Sequence, residues 1–279
     1  MNPAAGPTAA DVKRANRRLY DAVADAYEAI DGRRDATLSA WIRSRLEELA
    51  GVHGDAVLLD VGSGAGVVTR AARGIFARTI ALDLSPGILA TAGTAADARV
   101  AADTDALPIA DESVNVVTCF AVLHHLYDTA ALVREVQRVL APGGAFWSDH
   151  DMDSAFYRRF RAPLTIYRRL RGAGDKYAQA ASGVDARTYT MAEFREHGVD
   201  SQRVVDQLRR ARLEPRASFH WFGLTPFTNH LFGKRRHPRG WAPLLSIVAT
   251  KAQPIRAPSA SAGSAGTPPV IPEPISGGC

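Results

Sequence analysis

With 279 residues, 46% of them hydrophobic, the chain has room for one large domain or two small ones. No run approaches the roughly 18 apolar residues of a membrane span, and the start, "MNPAAGPTAADVKRANRR", has no apolar core after its charges, so no secretory signal is expected. The two cysteines, Cys119 in an apolar run and Cys279 at the last position, do not make a disulfide framework, so a reducing, cytoplasmic setting is expected.

The net charge of +5 comes mostly from Arg, gathered at "YRRFRAPLTIYRRLR" (157–171) and "KRRHPR" (234–239). Solvated helix faces are the first reading of these runs; contact with an anionic substrate or a membrane surface is the second. No helix-turn-helix, zinc-finger or RNA-binding signature accompanies them, so no nucleic-acid partner is expected.

Residues 1–10 are small and rich in Pro and Gly, and are expected to be disordered. Leu19, Tyr20, Val23, Tyr27 and Ile30 fall at helical spacing, as do Leu38, Trp41, Ile42, Leu46 and Leu49. Short apolar strands are predicted at 56–61, 79–84, 98–103 and 113–120. A helix follows from Asp128, stopped by Pro142-Gly143-Gly144, and then a strand at 145–149. Phe156, Phe160, Leu164, Tyr167 and Leu170 recur at helical spacing in a basic, aromatic cap that Pro163 must kink or begin. Thr190 and Glu193 read as a capping box opening a helix that ends at Gly198, and Asp200 starts another through Val204, Val205 and Leu208. Strands at 216–222 and 243–250 come last, with no helix between them, and predict an antiparallel pair. From 252 the chain is a Pro/Ala/Ser/Gly-rich tail, expected to be disordered. One α/β domain is thus expected over 11–251, with a cap and acceptor insert at about 151–200.

Alternating strands and helices imply a doubly wound, mostly parallel sheet, whose ligand sits over the carboxyl ends of the strands. At the first such end stands "LLDVGSGAG" (58–66). A dinucleotide turn reads G-x-G-x-x-G and receives a pyrophosphate. Here the spacing is G-x-G-x-G and Asp60 precedes it, which repels an anion and welcomes a cationic or amino-bearing ligand. Gly62 and Gly64 are expected to let that ligand approach the backbone. Asp83, ending the second strand, can accept both hydroxyl protons of a ribose. Asp103, ending the third, can accept from an exocyclic amine such as that of adenine. These acids describe a nucleoside with a zwitterionic, positively charged tail, such as S-adenosylmethionine.

These residues resemble the class I S-adenosylmethionine-dependent methyltransferases, near their quinone-biosynthesis-like branch. "LLDVGSGAG", "ALDLSPGIL", "AADTDALPIADESVNVV", "FAVLHHL" and "EVQRVLAPGGAFWSD" resemble successive family motifs in the family's order. The resemblance implies a Rossmann-like sheet of seven strands with an antiparallel last one. It implies S-adenosyl-L-methionine as cofactor, held by Asp60, Gly62, Ser63, Gly64, Asp83, Leu84, Asp103, Thr104 and Phe120. The helix with Tyr20 and Tyr27 resembles the family's N-terminal lid, which places an aromatic against the methionine end. The implied reaction moves a methyl group to O, N or C of a small, hydrophobic or aromatic metabolite.

A general base helps when such an acceptor must lose a proton. His124 and His125 past the fourth strand are candidates without preference between them, and His150 in "SDHDMD" (148–153) is another. That acidic segment invites Mg²⁺, but adjacent residues rarely converge on one ion, so no metal is expected. Two other functions compete: an NAD(P)-dependent oxidoreductase, disfavoured by the glycine spacing and its acid, and a non-catalytic nucleoside-binding protein with the same fold.

Overall fold

The computed structural model describes residues 6–27, 36–51, 55–171, 184–195 and 197–253. Ile30 and the tail beyond 253 lie outside the described residues. Seven strands form one sheet: β1 (Val57–Val61), β2 (Arg78–Asp83), β3 (Ala98–Ala101), β4 (Val114–Phe120), β5 (Leu140–Met152), β6 (Leu213–His220) and β7 (Leu244–Lys251). Their order is β3-β2-β1-β4-β5-β7-β6. β1 to β5 run parallel, and β7 pairs antiparallel with both β5 and β6.

The last strand is therefore antiparallel, as expected, but it lies inside the sheet and β6 forms the edge. The residues explain why. "LLSIVAT" in β7 is apolar almost throughout and nearly all buried, as a strand covered on both faces must be. β6 carries Glu214 and Arg216 and is exposed at Glu214, Arg216 and Ala217, which suits an edge.

Successive strand residues serve opposite faces. Leu59, Val117 and Phe146 pack with Leu132, Val133 and Val136 of α5 (Thr129–Val139) and with Val204 and Leu208 of α9 (Ser201–Arg210). Their neighbours Leu58, Val116 and Trp147 pack on the other face. There they meet Leu38, Trp41, Ile42 and Leu46 of α2 (Ala36–Ala50) and Val67 and Val68 of α3 (Val67–Ala71). A third cluster joins Ala15, Leu19 and Val23 of α1 (Ala9–Val23) to Ala192 of α8 (Ala186–Ala192), laying α1 beside α8. α4 (Pro86–Thr91) follows β2, capped by Ser85.

Two local expectations are corrected and a third, for the basic cap, holds. α1 starts at Ala9, inside the stretch read as disordered, because Thr8 and Asp11 form a reciprocal capping box. Thr190 and Glu193 do not open a helix. Asp185 caps α8 by accepting from Thr188 N at 2.7 Å, Thr190 Oγ1 bonds back to Ala186 O at 2.9 Å, and Glu193 is the last-turn cap position. The basic cap is two helices, α6 (Ser154–Arg159) and α7 (Arg161–Arg171), broken at Phe160, with Pro163 accommodated in the first turn of the second. The last helix, α10 (Pro226–Phe232), is opened by a Thr225–Thr228 capping box.

Candidate active site

Over the carboxyl ends of β1, β2, β4 and β5 lies a cavity of about 570 Å³, within the usual range for small-molecule sites. Asp60, Gly62, Ser63, Gly64, Asp83, Leu84, Asp103, Thr104, Phe120, Tyr20, Tyr27, His124, His125 and His150 all line it.

The glycine turn is built to hold itself rather than a phosphate. Gly62 N and Ser63 N both donate to Leu82 O, at 2.8 and 3.0 Å, and Gly66 N donates to Ser63 O at 2.8 Å. Gly64 N donates to Asp83 Oδ2 at 2.9 Å. These donors, which a phosphate-binding turn would offer to its ligand, are already engaged. The three glycines are all left-handed, with φ of 68°, 51° and 86°, but for different reasons. A Cβ on Gly62 would meet Val122 Cγ2 at 2.4 Å, so this glycine makes room for a side chain as well as lining the cavity. A Cβ on Gly64 would meet nothing within 4 Å, so the backbone here is open where it lines the cavity.

Asp60 is buried and accepts from Thr118 Oγ1 at 2.7 Å, bringing negative charge to the cavity wall. Ser63 Oγ is buried with no hydrogen-bond partner among the described residues. Asp83 accepts from Ser85 N at 2.9 Å as well as from Gly64 N. Burial pushes its carboxyl pKa up, partly offset by these backbone donors. Such an acid gains from two ribose hydroxyls. The set fits a nucleoside with a positive tail: acids at three strand ends, one open glycine and an orphaned buried hydroxyl.

Asp103 is also occupied. Lys13 Nζ lies 2.7 Å from Asp103 Oδ2 and pairs with Asp105, while Asp105 N donates to Asp103 Oδ1 at 3.0 Å. Lys13 belongs to a stripe on α1 (Ala9, Lys13, Asn16, Arg17 and Tyr20) that lines the cavity. Asp21, from the same helix, accepts from Ser85 Oγ at 2.6 Å and Gly87 N at 2.9 Å. α1 is thus fastened to the loops after β2 and β3. Sequence reasoning found Tyr20 but missed Lys13, Asn16 and Arg17, although their i, i+3, i+4, i+7 spacing was readable.

The three histidines part company. His125 has both nitrogens engaged, Nδ1 with Ala192 O at 2.9 Å and Nε2 with the Tyr20 hydroxyl at 2.9 Å. Burial, aided by neighbouring His124, lowers its pKa to about 4, so it stays neutral and structural. His150 sits at φ 67°, its ring stacked on Phe120 with centroids 4.3 Å apart. Its Nδ1 lies 2.7 Å from Asp149 Oδ1, and a Cβ on Gly223 would come within 2.2 Å of its Nε2. His150 is a packed wall of the cavity. His124 alone of the three is appreciably open, its side chain 22% exposed. Its Nδ1 lies 2.7 Å from Asp151 Oδ1, and its Nε2 faces Glu193 at 3.6 Å. Asp151 is buried and also accepts from His124 N at 3.0 Å and Leu123 N at 3.3 Å. Arg195 fixes this turn from outside, donating to Leu126 O at 2.9 Å and Tyr127 O at 2.7 Å.

Two groups here have metal-ligand composition: His124, His125 and Glu193, and Asp149, His150 and His220. Their close contacts include hydrogen bonds and ion pairs between the members, with the Asp151 carboxylate and with the Ala192 carbonyl. Cys119 is a buried free thiol, its pKa raised well above the ordinary value by burial.

Two predictions arise directly. Asp83→Ala should weaken S-adenosylmethionine binding by about 10- to 100-fold (~1–3 kcal/mol), the loss of a charge-assisted acceptor. Titration calorimetry checks it, and unchanged affinity would remove the ribose assignment. For His125, a lowered pKa means that the unfolded chain binds the extra proton first. Stability should therefore fall as pH drops from about 6.5 toward about 4, by up to about 3 kcal/mol. Urea unfolding across that range measures the slope, and His125→Asn should flatten it.

Comparison with known proteins gives a consistent set of likenesses. A sequence profile of a methyltransferase domain matches residues 59–148. A demethylmenaquinone methyltransferase of Mycolicibacterium paratuberculosis is 28% identical over 228 residues, 79% of this chain and 94% of that protein. Among solved structures, a Thermotoga maritima S-adenosylmethionine-dependent methyltransferase, described as a possible histamine N-methyltransferase, superposes with a TM-score of 0.58 at 13% identity. It covers 84% of this chain and 99% of its own. The Haemonchus contortus phosphoethanolamine N-methyltransferase 2, solved with S-adenosyl-L-methionine, gives 0.56 at 15% identity, over 84% of this chain and 57% of its own.

Proposed function

Since the chain belongs to the class I S-adenosylmethionine-dependent methyltransferases, we propose that it methylates a small hydrophobic phenol or quinol, with His124 as the base. When bound, S-adenosylmethionine supplies a methyl group on a positively charged sulfur. Asp60, Ser63, Gly64 and Asp83 would hold it. One observation carries the acceptor assignment. Met152, Tyr189, Leu224 and Leu244 give the cavity an apolar and aromatic lining outside the glycine turn, and its more exposed base is a histidine backed by a buried carboxylate.

Asp151 accepts from His124 Nδ1–H, which leaves the Nε2 lone pair for the acceptor's proton. The acceptor oxygen then carries the charge that attacks in line, or passes it to the ring carbon. Glu193, 3.6 Å from Nε2, favours the imidazolium that forms. Positioning the acceptor over the wall made by Phe120 and His150 supplies much of the acceleration, because the leaving group is already activated. The likeness to a demethylmenaquinone methyltransferase supports an acceptor of this chemistry.

The test has two steps. Calorimetry with S-adenosylmethionine, S-adenosylhomocysteine and NADH should show binding of the first two alone. Incubation with labelled cofactor and matched phenol, quinol and amine acceptors should then place the label on oxygen or ring carbon. Labelling confined to amines would overturn the acceptor class.

A further inference from the structure

Large apolar side chains are exposed in few places among the described residues, and three of the five lie between residues 227 and 241: Phe227 (71%), Leu231 (53%) and Trp241 (50%). Phe227 and Leu231 stand at i, i+4 on α10 and share one outward face. The opposite side of that helix is anchored, with Phe232 stacked on Trp221 at 4.9 Å. Phe160, Trp221, Phe232, His237, Pro238 and Trp241 line an open aromatic cleft of about 370 Å³. The Arg159 guanidinium lies 3.8 Å over the Trp241 ring.

The segments that build this face carry charge of one sign, although Arg239 is paired with Asp200 and Asp153. From Pro215 to Lys251 the chain holds no Asp or Glu, and from Ser154 to Arg171 again none, while the second stretch alone has six Arg. Lys234, Arg235 and Arg236 are exposed directly after α10. Exposed Trp, Phe and Leu ringed by Lys and Arg combine apolar insertion with attraction to anionic headgroups. Among the described residues no helix is long and apolar enough to cross a membrane, so the contact would be peripheral. The face also adjoins the site, since Gly223 and Leu224, just before α10, line the main cavity.

We propose that this face docks the enzyme on an anionic lipid surface. Phe227, Leu231 and Trp241 enter the headgroup boundary, and Lys234, Arg235 and Arg236 hold the phosphates. Docking so oriented turns the Gly223–Leu224 side of the active-site cavity toward the bilayer. The proposal needs no particular acceptor, because lipid binding is read without turnover.

Full-length protein is floated with vesicles of phosphatidylcholine alone and of phosphatidylcholine mixed with phosphatidylglycerol, at low and raised salt. Binding is expected to the anionic vesicles, weakening with salt. Arg235→Ala with Arg236→Ala should weaken it about 30-fold, at ~1 kcal/mol for each charge near the surface. Phe227→Ser with Leu231→Ser should weaken it about 10-fold or more at unchanged salt dependence. Should the apolar pair disturb folding, as a melting curve would show, the Arg pair carries the test alone. Failure to bind either vesicle, equal binding to both, or binding indifferent to the Arg pair would overturn the proposal. So would a single-stranded RNA oligonucleotide that displaces the vesicles, which would make this face a nucleic-acid surface.

Discussion

Replacing His124 by alanine should lower turnover by about 10²- to 10⁴-fold while S-adenosylmethionine affinity stays within about twofold, the range for loss of a general base. The split follows from placement. His124 lines the cavity beside Glu193 and Asp151, and the acids expected to hold the cofactor stand at other strand ends. Asp151→Asn tests the same arrangement from behind. It keeps an acceptor for the His124 ring but removes the charge that favours the imidazolium, so turnover should fall with no change in cofactor affinity. A fall in cofactor affinity that matches the fall in rate would mean that His124 shapes the cofactor site and takes no proton.

Asp149→Ala should cost about 3–5 kcal/mol of stability, the largest effect expected at any single position described. Asp149 is fully buried and collects four donors. His150 N and Nδ1 reach Oδ1 at 2.7 Å each, His220 Nε2 reaches it at 2.9 Å, and Trp147 Nε1 reaches Oδ2 at 3.2 Å. Truncation leaves these donors facing a void. Asp149→Asn should do little better, since its amide N–H₂ would confront N–H groups. Burial alone would raise this carboxyl's pKa, but His220 and His150 outweigh it and hold it well below the usual range. A lowered carboxylate pKa contributes stability that is present above about pH 4 and is lost as pH falls through the folded value. The His125 effect occupies the window above, from about 6.5 down to about 4, so unfolding curves taken across pH separate the two residues. A cost under about 1 kcal/mol for Asp149→Ala would mean that water replaces the carboxylate readily.

The sequence alone determined the parallel strands and which acids line the cavity at their carboxyl ends, because both rest on local signals. A parallel strand buried on both faces must be a short apolar run, and "VLLDV", "RTIALD" and "VNVVTCF" are such runs. Acids at the ends of such runs face the ligand wherever the fold is doubly wound, so Asp60, Asp83 and Asp103 could be placed without coordinates. What neighbours do to one another was not legible. Gly62 reads like Gly64, and only the packing of Val122 shows that the first makes room for a side chain. His124 and His125 are adjacent and chemically alike. Ala192 and Tyr20, more than sixty residues away in one direction and a hundred in the other, engage one of them, while Asp151 readies the other. The capping box at Thr190 matched its pattern and lost to Asp185, because a cap is settled by which side chain reaches the free N–H first. Strand position followed the same rule. "PLLSIVAT" announced a buried strand, but its place between β5 and β6 came from pairing across the whole sheet, which no local window contains.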